Sequence, residues 1–219
     1  RPYIWCEISY IWCEILGKIS LFVSSEDTKV RSQERRNQGI REYIYIYIYM
    51  PTPIEIPSSN IRVDDFGQRV PLYPDKTYLL THFHADHYRN LGPRWKGAKI
   101  LCNSQTARLV IDILGVSRDV LIIVPMCSRF KVSKDVDVYF ADANHCPGAA
   151  IVVFFVSQKV YIHTGDFRAS NEMIDNDTIL SSLCKKKGEP EAIYLDTTYA
   201  HPKHSLPDRR KCIHWIGDL

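Results

Sequence analysis

Within LTHFHADHY, residues 80–88, three histidines and an aspartate crowd together: His82, His84, Asp86 and His87. Residues two apart in an extended chain point the same way, so His82 and His84 suit one ion as a pair. Once the chain turns, Asp86 and His87 can face a second position nearby. Imidazole nitrogen and carboxylate oxygen are ligands for Zn²⁺, and also for Mn²⁺ or Fe. A catalytic zinc takes three protein ligands and keeps a place for water. The cluster alone cannot close two such sites and needs a further histidine and a bridging carboxylate. His145, ending DVYFADANH, and Asp166, ending KVYIHTGD, supply both. The competing reading, a polar loop that happens to be rich in histidine, does not account for the apolar strand leading into the cluster or for two further strands ending in ligand-type residues.

Those ligands have to be delivered by secondary structure. NIRVDDF (60–66) reads as a short strand ending in acids, KTYLLTHF (76–83) as an apolar strand running into the histidines, and AKILCN (98–103) as a third. SQTARLVIDILG predicts a helix with Ser104 as its N-cap, apolar residues at 109, 110, 113 and 114, and Gly115 as its stop. DVDVYFADANHCPGA (135–149) is a strand ending at a histidine. AIVVFFVSQKVYIHTGDF predicts two buried strands joined by a turn at Ser157-Gln158, and EAIYLDTTY (191–199) one more strand ending in an acid. PDRRKCIHWI starts like a helix, with Pro207 and Asp208 in its first turn. Strands dominate, and several end in a metal-capable residue.

HFHADH resembles the zinc-binding signature of the metallo-β-lactamase fold. DANHCPGA, HTGDFR and LDTTY resemble one branch of it, the DNA cross-link repair nucleases that include Artemis and Apollo and carry a beta-CASP domain. The acid of VDDF matches the branch's first motif, with Asp64 better aligned than Asp65. The match runs in unbroken order over roughly residues 54 to 219. H-x-H-x-D-H alone would also admit glyoxalase-like, lactonase-like and tRNA-processing enzymes.

The resemblance implies an α/β (α+β) fold, the four-layer αββα sandwich of the metallo-β-lactamases. It implies that His82, His84 and His145 hold one zinc, that Asp86 and His87 reach toward a second, and that Asp166 lies between the two. Asp64 would anchor the histidines from behind. Asp196 matches the first beta-CASP motif, an acid close to the metal, and Asp86, Asp166 and Asp196 are the implied catalytic acids. One or two zinc ions would then serve phosphodiester hydrolysis, activating water and neutralising charge on the phosphate oxygens. The implied activity is a 5′→3′ DNA exonuclease working from a 5′-phosphate end, in interstrand cross-link and double-strand break repair, with DNA as partner and the nucleus as location.

The chain stops soon after LDTTY. On the family pattern the beta-CASP domain, the closing strands and the last histidine of the second metal position are missing, so the expectation is an incomplete sandwich, a fragment of a longer product. Two other readings stay open: another metallo-β-lactamase-fold hydrolase, including RNA-cleaving beta-CASP relatives, and a truncated, non-catalytic zinc-binding remnant.

Composition sets outer bounds. The 219 residues suffice for one domain or part of a larger one, and 45% hydrophobic with 24% charged residues is ordinary for a globular chain. A net charge of +3 permits a nucleic-acid partner without arguing for one. The seven cysteines are odd in number and form no C-x-x-C, which reads as reduced thiols in an intracellular protein. No apolar run reaches the ~18 residues of a membrane span, so no membrane partner is expected; the oligomeric state is not legible.

Residues 1–50 stand apart. YIWCEIS is followed at once by YIWCEIL, and YIYIYIY alternates strictly, as an in-frame TA repeat would encode. This stretch is expected to be repetitive, unfolded and without function, with residues 51–219 forming the domain. His163 at an odd offset from Asp166, His201 and His204 in a proline-broken loop, and His214 on the terminal helix are read as non-ligands. Cys146 is read as a small packed thiol, and the short basic runs KKK (185–187) and RRK (209–211) as solvated faces.

Overall fold

A computed structural model of the chain describes residues 20–24, 46–48, 54–168, 170–185, 190–198 and 209–217. In order these form β1 (Ser20–Ser24), β2 (Ile46–Ile48), β3 (Ile54–Ile56), β4 (Ile61–Val63), β5 (Thr77–Leu79), β6 (Ile100–Cys102) and α1 (Ser104–Asp112). There follow β7 (Leu121–Ile123), β8 (Arg129–Ser133), β9 (Val136–Asp142), β10 (Ala150–Val156), β11 (Lys159–His163), α2 (Asn171–Asn176), α3 (Thr178–Lys185), β12 (Ala192–Asp196) and α4 (Arg209–Gly217).

β10, AIVVFFV, is apolar at every position, the pattern of a strand covered on both faces. Its side chains divide with the two-residue period of the pleat. Ala150, Val152, Phe154 and Val156 enter one core with Val138 and Phe140 of β9 and with Ile61, Val63, Leu79 and Leu101 of the other sheet. Ile151 and Val153 enter a second core against Leu180 and Leu183 of α3. The same division occurs in β5 and β6. Leu79 and Leu101 face the sheet–sheet core, while Tyr78, Ile100 and Cys102 pack with Ala107 and Val110 of α1 around Trp95 and Phe66. The layers therefore run helix, sheet, sheet, helix, an α/β architecture of two mixed sheets.

The first sheet has the order β3-β4-β5-β6-β7, parallel except for the β3–β4 pair. The second has the order β2-β1-β12-β11-β10-β9-β8, parallel from β2 to β11 and antiparallel from β11 to β8. This topology decides where the chemistry falls. β4, β5, β9, β11 and β12 all run toward the same edge of the sandwich, and each delivers one of the acids or histidines discussed above at its C-terminal end. In sheets with parallel strands, that edge is where ligands are bound.

Several expectations need correction. The N-cap of α1 is Asn103, not Ser104, because the Asn103 side chain accepts the amide of Thr106. The stop at Gly115 takes a specific form. Gly115, at φ 65°, donates to Ile111, the five-to-one bond of an αL ending, and Val116 donates further back to Val110. Of the four apolar positions noted in this helix, Val110 is buried while Ile113 lies exposed. α2 and α3 were not expected; Asp177 joins them, its carboxylate accepting the amides of Ile179 and Leu180 as the cap of α3. β3, β7 and β8 were not expected either. Two strands from the stretch expected to stay unfolded, β1 and β2, extend the second sheet beyond β12 with Phe22 in register with Tyr194 and Tyr47. β1, SLFVS, takes the edge of β12, and the alternating Ile-Tyr of β2, which favours extended backbone, adds to the outer edge of β1.

Candidate metal centre

At the ligand-bearing edge, His82 leaves β5 fully buried, while His84, His87 and Asp166 are partly covered and Asp86 stands out into solvent at 78% side-chain exposure. Two groups of potential ligands form there, with the ligand atoms of each within 4.8 Å of one another. One is His82, His84, His145 and Asp166; the other is Asp86, His87 and Asp166. The six residues that the sequence pattern nominated as metal ligands are thus brought together.

Within the first group, His84 Nδ1 lies 2.9 Å from His82 Nε2 and 3.1 Å from His145 Nε2, and Asp166 Oδ2 lies 3.8 and 3.6 Å from those two nitrogens. A tetrahedron with zinc–nitrogen bonds of 2.0–2.1 Å has edges of about 3.3 Å, so these separations bracket it. One proton on His84 cannot serve both neighbouring rings linearly, whereas a shared cation satisfies every lone pair. The donor set fits a divalent ion.

In the second group, His87 Nε2 lies 3.2 Å from Asp166 Oδ1 and 3.5 Å from Asp86 Oδ2. Asp166 therefore turns one oxygen to each group. His145 comes from the turn after β9 and Asp166 from the turn after β11. The first turn is held by Asn103 and Thr106, whose side chains donate to the carbonyl of Gly148.

Behind the histidines sits Asp64, at φ 50°, a left-handed position that aspartate tolerates better than most residues. Its Oδ1 accepts the amide of Thr81 at 2.8 Å, and its Oδ2 accepts the Thr81 hydroxyl and His87 Nδ1–H, both at 2.7 Å. The neighbouring Asp65 instead pairs with the buried guanidinium of Arg62, which also meets Glu55 and lies over Tyr73. The two adjacent acids are separated by what they bind, and Asp64 is the one directed to the histidines.

Electrostatics follow the contacts. Burial and then the charge of His87 push His82 down to about 4. Burial also acts to lower His87, but hydrogen bonds to Asp166 and Asp64 outweigh it and raise it to about 10. The hydrogen bond from His87 carries Asp166 down to about 2. Burial alone would raise Asp64, and the bond and charge of His87 take it below the ordinary carboxylate range instead. Without an ion, a protonated His87 ties the two carboxylates together; a cation at Nε2 takes the place of one proton.

Asp196 belongs to neither group. Its Oδ1 accepts the amide and hydroxyl of Thr198, its own amide donates to the Thr164 hydroxyl, and its charge favours protonated His145. Cys146 is half-buried against the second core. His201 and His204 lie outside the described residues. The sequence reading passed over three residues that hold the ligands in place: Thr81, Asn103 and Gly165. The signal for Gly165 is a glycine directly before a ligand. At φ 52°, its Cβ position would fall 3.1 Å from Thr81.

His163 is packed rather than metal-facing. Its Nδ1 accepts the amide of Gly165 at 3.0 Å, its ring stacks on Tyr194, and burial pushes its pKa down to about 4. The folded protein then refuses a proton that the unfolded chain accepts below about 6.5, so this part of the stability is lost as pH falls from about 6.5 toward 4, at up to about 1.4 kcal/mol per pH unit. Urea unfolding of the ion-free protein across that range will show a shallower pH dependence for His163→Gln than for the native chain. An identical dependence would remove His163 as the cause.

No family model matches the chain. It is 35% identical over 173 residues to DNA ligase 6 of Arabidopsis thaliana, covering 76% of this chain and 12% of that protein. It is 33% identical over 147 residues to the DNA cross-link repair protein pso2/snm1 of Schizosaccharomyces pombe, covering 65% and 25%. To the 5′ exonuclease Apollo of Danio rerio it is 27% identical over 174 residues, covering 75% and 29%. The chain spans between 12% and 29% of the length of these relatives.

Proposed function

We propose that the chain is a member of the DNA cross-link repair protein family and carries the metal-binding part of a zinc-dependent DNA nuclease, supported by its likeness to pso2/snm1 and Apollo. The four layers are read as the metallo-β-lactamase αββα sandwich, to which a beta-CASP domain is joined in the whole protein. The observation that carries the proposal is the placement of Asp166, with Oδ2 toward His82 and His145 and Oδ1 toward His87. A carboxylate shared in this way suits two adjacent hydrolytic metal positions.

His82, His84 and His145 would hold the first zinc, with Asp166 closing that group, and Asp86 and His87 with Asp166 would form the second position. When bound, zinc supplies Lewis acidity, lowering the pKa of water to about 7 and withdrawing charge from a phosphate. The protein residues set up that chemistry. Buried His82 forms the floor and exposed Asp86 the rim, so a phosphodiester approaches from the Asp86 side. Asp64 keeps the His87 proton on Nδ1 and leaves Nε2 facing the second position. Asp196 contributes negative charge beside His145. The substrate is a 5′-phosphorylated DNA strand, hydrolysed 5′→3′, and the place of action is the nucleus. No helix among the described residues is long and apolar enough to cross a membrane.

The test compares zinc-loaded chain, alongside the complete gene product that contains it, on 5′-phosphorylated single-stranded DNA, on the 5′-hydroxyl strand, and on RNA of the same sequence. Nucleotides will be released preferentially from the 5′-phosphorylated DNA. Cleavage of RNA in preference to DNA by the complete product, or no cleavage of DNA by it, would overturn the reading.

A further inference from the structure

We propose that Thr81 is a positioning residue that fixes His82 in the tautomer with its proton on Nδ1, leaving Nε2 bare toward the metal group. Thr81 is fully buried at the end of β5 and is held from four directions. Its amide donates to Asp64 Oδ1, its hydroxyl lies 2.7 Å from Asp64 Oδ2 and 3.0 Å from His82 Nδ1, and its carbonyl accepts the amide of Ala150, where the chain re-enters β10 after the His145 turn. Its side chain also fills the space that a Cβ on Gly165 would need, one residue before Asp166.

The direction of the hydrogen bonds follows from counting protons. An ionised carboxylate only accepts, and Asp64 already receives the Thr81 amide and His87 Nδ1–H. The single hydroxyl proton of Thr81 therefore goes to Asp64 Oδ2. The hydroxyl oxygen can then only accept from His82, so the proton of the neutral ring sits on Nδ1. The lone pair of Nε2 is left pointing at the space shared with His84 Nδ1 and Asp166 Oδ2, 2.9 and 3.8 Å away. Asp64 thus sets two histidines at once, His87 directly and His82 through the Thr81 hydroxyl. Because the second link passes through one oxygen atom, removing that oxygen alone releases His82.

Thr81→Val keeps the branched shape and removes the hydroxyl; Thr81→Ser keeps the hydroxyl and removes the methyl. Nitrogen-15 spectra of the metal-free 219-residue chain at neutral pH read the tautomer directly, with the His82 signals identified by their absence in His82→Gln. The native chain and Thr81→Ser will show His82 protonated on Nδ1, and Thr81→Val will show Nε2 protonation. Zinc affinity, read by competition with a chelator, will fall by about 10- to 100-fold in Thr81→Val and change little in Thr81→Ser. Only the affinity arm rests on the metal reading above: an Nδ1-protonated His82 in a chain that binds no zinc would sink that reading and leave this one standing. An Nε2-protonated His82 in the native chain, an unchanged tautomer in Thr81→Val, or equal loss of affinity in both variants would overturn the role of the hydroxyl. Should Thr81→Val not fold, the native and Thr81→Ser spectra still decide.

Discussion

On the proposed zinc nuclease reading, replacing His82 and His84 together by alanine will leave a protein that retains no zinc at the first position and hydrolyses no phosphodiester. The two rings supply two of the three imidazole nitrogens of that group, and His84 Nδ1 is the atom that both other rings approach. Perturbing a residue behind a metal ligand already costs about 10- to 100-fold in affinity, so removing two ligands outright will exceed that range. His145 and Asp166, which remain, come from different turns of the second sheet and cannot enclose an ion by themselves. Zinc content after gel filtration and nucleotide release from 5′-phosphorylated DNA measure the two losses. His163→Gln is the control, a packed histidine of the second sheet whose replacement will leave the zinc content alone. Native zinc content and activity in the double variant would remove the site assignment.

Asp64→Asn will produce the largest loss of stability relative to the size of the change. Asparagine has the shape of aspartate and tolerates the left-handed backbone, so strain is not the cause. The cause is a mismatch of donors. Asp64 accepts three protons: the Thr81 amide on one oxygen, and the Thr81 hydroxyl and His87 Nδ1–H on the other. Either orientation of the amide turns an NH₂ toward at least one buried donor. Leaving a buried donor unmatched costs about 1–3 kcal/mol, and a loss of that size in denaturant unfolding is expected. Metal affinity will fall as well, since both His82 and His87 depend on that carboxylate. Asp65→Asn, one residue away and paired with Arg62 instead, will leave metal affinity unchanged. Equal effects at the two positions would show that the metal site does not distinguish them.

The metal group was legible because its ligands carry a strong local pattern at the ends of apolar strands. HFHADH, the histidine after β9 and the aspartate after β11 could be read without any knowledge of pairing, whereas the preference for Asp64 over Asp65 came only from the family resemblance. What was not legible depends on tertiary context. β8 alternates exposed and half-buried residues at the margin of its sheet, with too little apolar character to stand out. α2 and α3 are only six and eight residues long, and the cap of α3, Asp177, also receives the hydroxyl of Tyr139 from β9. Asn103 caps the helix with its Oδ1 while its amide group is held by the Gly148 carbonyl in the turn that carries His145, a contact invisible in the local sequence. Thr81 gives no signal of its own, a hydroxyl among apolar neighbours, and it acquires meaning only once Asp64 and His82 are brought beside it.

The ligands are shared between two sheets: Asp64 and the 82–87 cluster come from one, His145 and Asp166 from the other, with the valine, leucine and phenylalanine side chains of the sheet–sheet core between them. Stacked sheets lie about 10 Å apart, and over an arm of that length a tilt of about 3° displaces a ligand atom by about 0.5 Å, the tolerance of a working site. Val152, Phe154 and Leu79 are therefore spacers that set the jaw width of the metal grip. Trimming one of them would detune coordination from a distance, without touching any atom that meets the ion.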